Sequence, residues 1–196
     1  MKVKINSLLA VILLLASCSG KELGPDEYTR WVENKNNGCI SEKSIGGMQF
    51  TAMHKPLEYV VLKECGGNMS LFDSLKGDFE GMEYYTIKMR AESQNKDVLL
   101  HNIGSEQEYY ERINYYTTNA QHDVYLVEAG DTIYCELYHY ERSYGVSPYN
   151  SMLLGFKTRP GNRDKPAKLC FNETVFNTGL LLFNFDKNNL PTLTIN

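Results

Sequence analysis

Two histidines and one carboxylate form a residue set with clear potential for chemistry. Segments that alternate apolar and polar residues flank Gly130-Asp131, a dipeptide that favours a two-residue hairpin turn. That turn would place His122 opposite His139, where cross-strand Cβ atoms lie about 5 Å apart, with Glu141 further along the same face. Imidazoles and carboxylates are ligands for zinc and other divalent ions. The set therefore indicates either a divalent-metal site or a polar cap on the end of an apolar strand pair.

The same turn predicts which side of the hairpin is buried. Leu126 would face Cys135 and Val124 would face Leu137, so their shared face is apolar and predicted to point to the core. The opposite face is predicted to be half-exposed and carries Asp123, Tyr125, Tyr134, Glu136 and Tyr138. An aromatic, polar face of this kind suits contact with a protein or glycan partner.

The N-terminal stretch has the pattern of a targeting signal. Lys2 and Lys4 precede an apolar run, Leu8 to Ala16, that is too short to span a bilayer and suits a signal-peptide core. The run closes with Leu15-Ala16-Ser17-Cys18, which resembles the lipobox of bacterial lipoproteins. The resemblance implies a signal peptide at 1–17, acylation of Cys18, an acylated tether at 18–24 and a membrane anchor.

Two positions after Cys18 bear on the destination. In the lipoprotein families of diderm bacteria an aspartate after the acylated cysteine accompanies retention in the inner membrane, so Ser19 implies the outer membrane. Lys21-Glu22 resembles the short charged export signal of Bacteroidota surface lipoproteins, although any soluble tether carries such residues. Both a periplasmic and a surface-exposed location remain open.

Four further cysteines bear on folding in an oxidising compartment, where disulfides persist. Cys39, Cys65, Cys135 and Cys170 lie far apart and include no Cys-x-x-Cys pair, which argues against a finger-type zinc site. Four cysteines allow three connectivities, and at least one bond is predicted. Cys39 with Cys65 is the favoured pair because they bracket a predicted strand pair, whereas Cys135 and Cys170 also suit buried free thiols.

Composition limits the classes of partner. The chain of 196 residues is 42% hydrophobic, which suffices for a core, and residues 25–196 suit a single domain. Its formal net charge of −4 argues against nucleic acid as a partner, because nucleic-acid binders carry basic patches.

Three helices are predicted from their start signals. Pro25 suits the first position of a helix, and Ser70 with Asp73 resembles a capping box for a short helix ending at Gly77. A longer helical pattern follows a second capping box, Ser105 with Glu108. The predicted apolar faces are Tyr28, Trp31 and Val32 in the first helix and Tyr109, Ile113 and Tyr116 in the last.

The remaining segments predict strands, without a regular alternation of strands and helices. The fold class is therefore α+β, a single domain with a mainly antiparallel β-sheet and two or three helices. The predicted strands are Cys39–Ile45, Met48–Met53, Tyr59–Leu62, Met82–Met89, Val98–Leu100, Asp123–Glu128, Thr132–His139, Ser151–Phe156, Leu169–Phe171, Leu180–Phe185 and Leu193–Ile195.

The sequence contains no glycine-rich phosphate loop, nucleophile elbow or paired-histidine zinc-protease motif. The leading interpretation is a lipid-anchored, non-enzymatic binding or assembly module at the outer membrane, with no cofactor beyond the possible divalent metal. The alternatives are a small envelope enzyme of the hydrolase class, whose site residues are dispersed along the chain, and a lipoprotein that captures a metal or another ligand.

Replacing Cys18 tests the anchor directly. Cys18→Ala removes the acylated thiol, so the variant should move from the membrane to the soluble envelope fraction and lack acyl mass. Cys39→Ala is the matched control and should stay with the membrane. Fractionation with mass spectrometry measures both; wild-type protein without acyl mass, together with a membrane-bound Cys18→Ala variant, would contradict the anchor.

Overall fold

The computed structural model describes residues 21–92, 97–157, 161 and 165–195. Cys18, the signal peptide at 1–17 and the first part of the tether lie outside the described residues. Within the described ranges, no helix combines the length and apolar character needed to cross a membrane.

The described residues form an α+β domain built on a large antiparallel sheet, which confirms the predicted fold class. The strands are β1 (Glu22–Leu23), β2 (Ile40–Ile45), β3 (Met48–Lys55), β4 (Met82–Ala91), β5 (Val124–Glu128), β6 (Asp131–Glu141), β7 (Tyr149–Lys157), β8 (Ala167–Glu173), β9 (Gly179–Phe185) and β10 (Thr192–Leu193). Eight of them form one sheet in the order β2-β3-β4-β7-β6-β5-β8-β9, and the two short strands β1 and β10 pair in parallel. The helices are α1 (Pro25–Val32), α2 (Leu57–Cys65), α3 (Phe72–Phe79) and α4 (Glu106–Asn114).

The sheet curls around the main core, and its edge strands β2 and β9 contact each other. Alternate residues of each long strand point inward, because successive side chains of a strand face opposite sides. The interior is filled by fully buried aromatic and aliphatic side chains that include Phe50, Ile87, Leu154, Phe171 and Phe183.

A second apolar cluster lies under α1, α2 and α3. It joins Leu23 of β1, Tyr28 and Val32 of α1, and Val61 of α2, with Trp31 packed at its side. The predicted apolar face of the first helix is therefore confirmed. Residues 22–23 were predicted to be tether, but they pair with β10, and the Lys21 carbonyl accepts a hydrogen bond from Thr192. The first described strand thus starts at Glu22, inside the range predicted as tether.

The predicted N-cap of α4 is confirmed, because the Ser105 side chain accepts a hydrogen bond from the Glu108 amide at 3.1 Å. The reciprocal bond differs from that of a capping box: the Glu108 carboxylate accepts from the Gly104 amide at 2.8 Å, one residue before the cap. The helix continues through a π-helical segment, Tyr115–Asn119, in which Tyr116 is fully buried in the main core.

Two predicted strands are helical instead. The segment Tyr59–Leu62 lies in α2, where Leu57, Val61 and Cys65 recur at helical spacing and are buried. Burial of this helical face outweighs the β-propensity of the valines and tyrosine, which is a weak local preference. The segment Val98–Leu100 is a 3₁₀ turn, because the Asp97 side chain accepts the Leu99 amide at 3.0 Å and caps it.

The helix predicted after Ser70 begins later. Asn68 caps a 3₁₀ turn by accepting the Ser70 amide, and α3 starts at Phe72. Gly77 lies inside α3 and does not end it.

The β5–β6 hairpin has a different turn from the predicted one. Its turn residues are Ala129 and Gly130, both at positive φ, so Leu126 pairs with Ile133 and not with Cys135. Positive φ at both central positions is typical of a type I′ turn, which is strained for alanine and so was not indicated by the sequence. Because the register differs by two residues, the inward faces of β5 and the start of β6 are those predicted.

A β-bulge in β6 then changes the direction of the side chains that follow. Cys135 pairs with Phe156 of β7 and Leu137 pairs with Gly155, so Glu136 is an extra residue in β6. One extra residue reverses the inward and outward alternation of all later positions.

The predicted faces beyond the bulge are therefore wrong. Leu137 was predicted to face the core but points outward and is 39% exposed, whereas Tyr138 and Tyr140 pack against the main core. The tyrosine hydroxyls have partners there: Tyr138 donates to the Tyr116 carbonyl at 2.6 Å.

The favoured Cys39–Cys65 bond is not formed in the structure. Cys39, Cys65, Cys135 and Cys170 are buried free thiols. Cys39 and Cys65 lie in the apolar cluster under the helices, and burial raises the pKa of Cys39 to about 12. Cys135 and Cys170 donate to the backbone carbonyls of Leu137 and Lys168, as suits buried thiols.

A buried ion cluster ties the C-terminal segment to the sheet. Lys187, 2% exposed, lies 2.9 and 3.0 Å from the two carboxylate oxygens of Glu83 and also contacts the carboxylate of Glu128. Tyr85 donates to Glu83 at 3.0 Å. Burial raises the pKa of Glu83, which shows the cost of holding charge in this position.

Lys187→Met should lower the free energy of unfolding by about 3–5 kcal/mol, because it leaves two buried carboxylates without their cation. Lys43→Met, at an exposed position, is the matched control and should change stability by less than about 0.5 kcal/mol. Urea unfolding measures both.

If Lys187→Met does not fold, a triple variant provides the test. Adding Glu83→Gln and Glu128→Gln removes the two unpaired buried carboxylates and should recover part of the lost free energy of unfolding. Equal stability of wild type and Lys187→Met would show that the cluster does not hold the C-terminal segment.

Candidate ligand-binding cavity

A cavity of about 360 Å³ lies between α2, the end of α3 and the outer face of the sheet. Its wall is apolar and aromatic with three charged side chains, a mixture typical of small-molecule sites. The lining residues are Lys55, Tyr59, Val60, Lys63, Glu64, Phe79, Tyr84, Leu137 and Leu153.

Four strands supply the floor. The register places Leu137 of β6, Gly155 of β7, Tyr84 of β4 and Lys55 of β3 in one row across the outer face. Leu153 lies in the next row along β7. Cross-strand neighbours on one face are the units that pack in a sheet, so the floor is defined by strand pairing.

Gly155 allows the close approach in this row. A Cβ atom at this position would lie 2.9 Å from the Leu137 Cβ and 3.0 Å from the Met82 Cε. A glycine inside a strand often marks a bulge or a close approach. Gly155 is therefore a local sequence signal of the bulge.

The helical wall is held by an ion pair and ring contacts. Tyr59 donates to Glu33 at 2.8 Å, and Lys63 lies 2.8 Å from the same carboxylate and over the Tyr59 ring. The hydrogen bond from Lys63 is the main cause that lowers the pKa of Glu33. The Phe79 and Tyr84 rings pack edge to face with their centroids 5.8 Å apart, and this contact connects α3 to the floor.

Lys55 is the charged group on the floor. Its side chain is half-buried, and burial lowers its pKa below the ordinary value of 10.5. Among the described residues, no carboxylate oxygen lies within 4.0 Å of the Lys55 ammonium nitrogen, so none forms an ion pair with it. Glu141 and Glu64 act on it only through longer-range attraction.

The predicted metal ligands are not brought together. His122 lies in a 3₁₀ turn, Ala120–Asp123, before β5, so it is not a strand neighbour of His139. His139 faces outward beside Leu153, and Glu141 accepts a hydrogen bond from Ser151 at 2.8 Å. The predicted pairing failed because it depended on the Gly130-Asp131 turn and on strand geometry at His122.

The described ranges hold no group of three or more histidine, cysteine, aspartate or glutamate side chains placed to bind a metal ion. The sequence did not predict the cavity residues, because they come from six elements and the floor joins residues 55–84 to the distant Leu137 and Leu153. Comparison of the chain with protein-family models, with curated proteins and with solved structures finds no match.

Gly155→Ala should lower the free energy of unfolding by about 1–3 kcal/mol, because the added methyl group forces β6 and β7 apart at Leu137. Gly77→Ala is the matched control. It lies in α3 with nothing within 4 Å of the new Cβ, so it should raise stability by about 0.5–1 kcal/mol. Thermal and urea unfolding measure both; a neutral Gly155→Ala would mean that Leu137 does not pack against position 155.

Proposed function

We propose that this chain is a lipid-anchored, non-enzymatic protein of the cell envelope that captures a small, mainly apolar molecule in the cavity. The observation that carries the proposal is the cavity itself. Its volume of about 360 Å³ falls within the range of known ligand pockets, roughly 300–1,000 Å³, and its wall combines apolar residues with a few charged groups.

The lipobox resemblance at Cys18, together with Ser19, supports the proposed location at the outer membrane. Strand β1 starts at Glu22, and three residues of sequence lie between it and Cys18. An extended chain spans at most about 3.5 Å per residue, so an acyl anchor would hold the domain within roughly 10–15 Å of the membrane. Both the periplasmic and the external side are compatible with this distance.

The helical layer connects this anchor to the cavity. Helix α1 follows directly after β1 and packs on α2, and α2 forms one wall of the cavity. The captured molecule would therefore be held on the same side of the sheet as the helices nearest the anchor.

Contact with a protein or glycan partner is a second candidate function, and one surface favours it. Tyr134, which is 71% exposed, shares an outer row with Tyr125 of β5, Cys170 of β8 and Leu182 of β9. Aromatic side chains with a polar tip are enriched at interfaces. This surface runs from β6 to β9, whereas the cavity floor runs from β6 to β3.

Filling the cavity tests the leading proposal. Wild-type protein should enhance and blue-shift the fluorescence of N-phenyl-1-naphthylamine, an uncharged apolar probe. Val60→Trp places a large ring in the cavity from α2 and should weaken probe binding about tenfold or more, because the ring occupies the space that the probe needs.

The matched control introduces the same side chain elsewhere. Val146 is 94% exposed in the β6–β7 loop, so Val146→Trp should bind the probe as wild type does. Circular dichroism and melting temperature confirm that both variants are folded. Absence of probe binding by wild type, or equal binding by folded Val60→Trp, would overturn the proposal.

A further inference from the structure

The two lysines that line the cavity differ in how their charges are balanced. Lys63 is paired with Glu33 at 2.8 Å. Lys55 lies on the floor beside Tyr84, and no described carboxylate forms an ion pair with it. Lys55 is therefore the cation that a bound molecule can complement.

We infer that the molecule captured in the cavity is an organic carboxylate, with its apolar body against Leu137, Leu153 and Phe79 and its anionic head on Lys55. This inference rests on the proposed function and specifies the ligand class. A charge taken partly out of water is costly unless it is paired, and a carboxylate supplies both the opposite charge and hydrogen-bond acceptors for the ammonium group.

The lowered pKa of Lys55 agrees with this geometry. Burial is its main cause, because it disfavours the charged form of the lysine. A bound carboxylate would stabilise the charged form, whereas a neutral alcohol would do so weakly and a protonated amine would oppose it. The cavity should therefore discriminate among molecules of the same apolar body by their head group.

The volume sets the size of the ligand. At about 30 Å³ per water-sized group, which is the volume of one water molecule in the liquid, the cavity of about 360 Å³ has room for on the order of twelve such groups. A straight-chain acid such as decanoate, with about that number of non-hydrogen atoms, is a suitable probe, and decanol and decylamine provide the neutral and cationic counterparts with the same chain.

Replacing Glu64 should change the affinity for a carboxylate in the opposite direction to replacing Lys55. Glu64 is an exposed residue at the cavity wall, and its negative charge attracts Lys55 and would repel a bound anion. Removing this charge while keeping the side-chain shape should therefore increase the affinity for a carboxylate. A purely steric role of Lys55 and Glu64 would not produce effects of opposite sign.

Displacement of N-phenyl-1-naphthylamine, backed by calorimetry, measures binding of the three probes to the mature protein. Wild type should bind decanoate more tightly than decanol, and decylamine most weakly. Lys55→Met should weaken decanoate binding about 10- to 100-fold, because it removes a charge-assisted hydrogen bond, and Lys55→Arg should restore much of it. Glu64→Gln should tighten decanoate binding a few-fold, and Lys43→Met, an exposed site away from the cavity, should leave it unchanged.

The outcomes separate this inference from the proposed function. If wild type binds N-phenyl-1-naphthylamine but binds decanoate no better than decanol, or if Lys55→Met binds decanoate as wild type does, the carboxylate inference is wrong and the capture function stands. If wild type binds no apolar probe, both fail.

Discussion

The bulge at Cys135–Leu137 is the local constraint on which the cavity depends. It is accommodated because Gly155 of β7 has no side chain, so Leu137 can pack against the backbone of the neighbouring strand. The bulge sends Leu137 outward to the cavity floor and turns Tyr138 and Tyr140 toward the main core. One inserted residue thus completes the outer apolar floor and the interior at the same time.

Two lysines illustrate how burial and pairing decide the role of a charge. Lys187 is almost fully removed from water and contacts two carboxylates, so its charge is compensated within the chain and holds the C-terminal segment on the sheet. Lys55 is only half-buried and forms no ion pair with the described carboxylates. Removing one member of the Lys187 cluster would leave a buried charge without a partner, which is strongly destabilising. Lys55, by contrast, carries a charge that a ligand can complement.

The helical layer joins the two features that we propose as functional. Helix α1 packs beside the short β1–β10 pair, and α2 carries Tyr59, Val60 and Lys63 into the cavity wall. Glu33, just after α1, pairs with Lys63 of α2. The wall of the cavity is therefore supported by the part of the domain closest to the proposed acyl anchor.

The sequence by itself determined the features that depend on neighbours a few residues apart. The Ser105 cap, the apolar face of α1 and the strands β3 and β4 all depend on short-range patterns, and the structure confirms them. The lipobox at Cys18 is equally local and stays a prediction. The α+β class followed from the order of such elements.

Tertiary structure decided the helical state of α2, the turn at Ala129-Gly130 and the separation of His122 from His139. In each case, burial or strand pairing outweighed a local preference. The cavity was also a tertiary result, because Lys55, Tyr84 and Leu137 become neighbours only when four strands pair in register. No local pattern in a sequence encodes such long-range pairing, since its energy comes from contacts between residues distant along the chain.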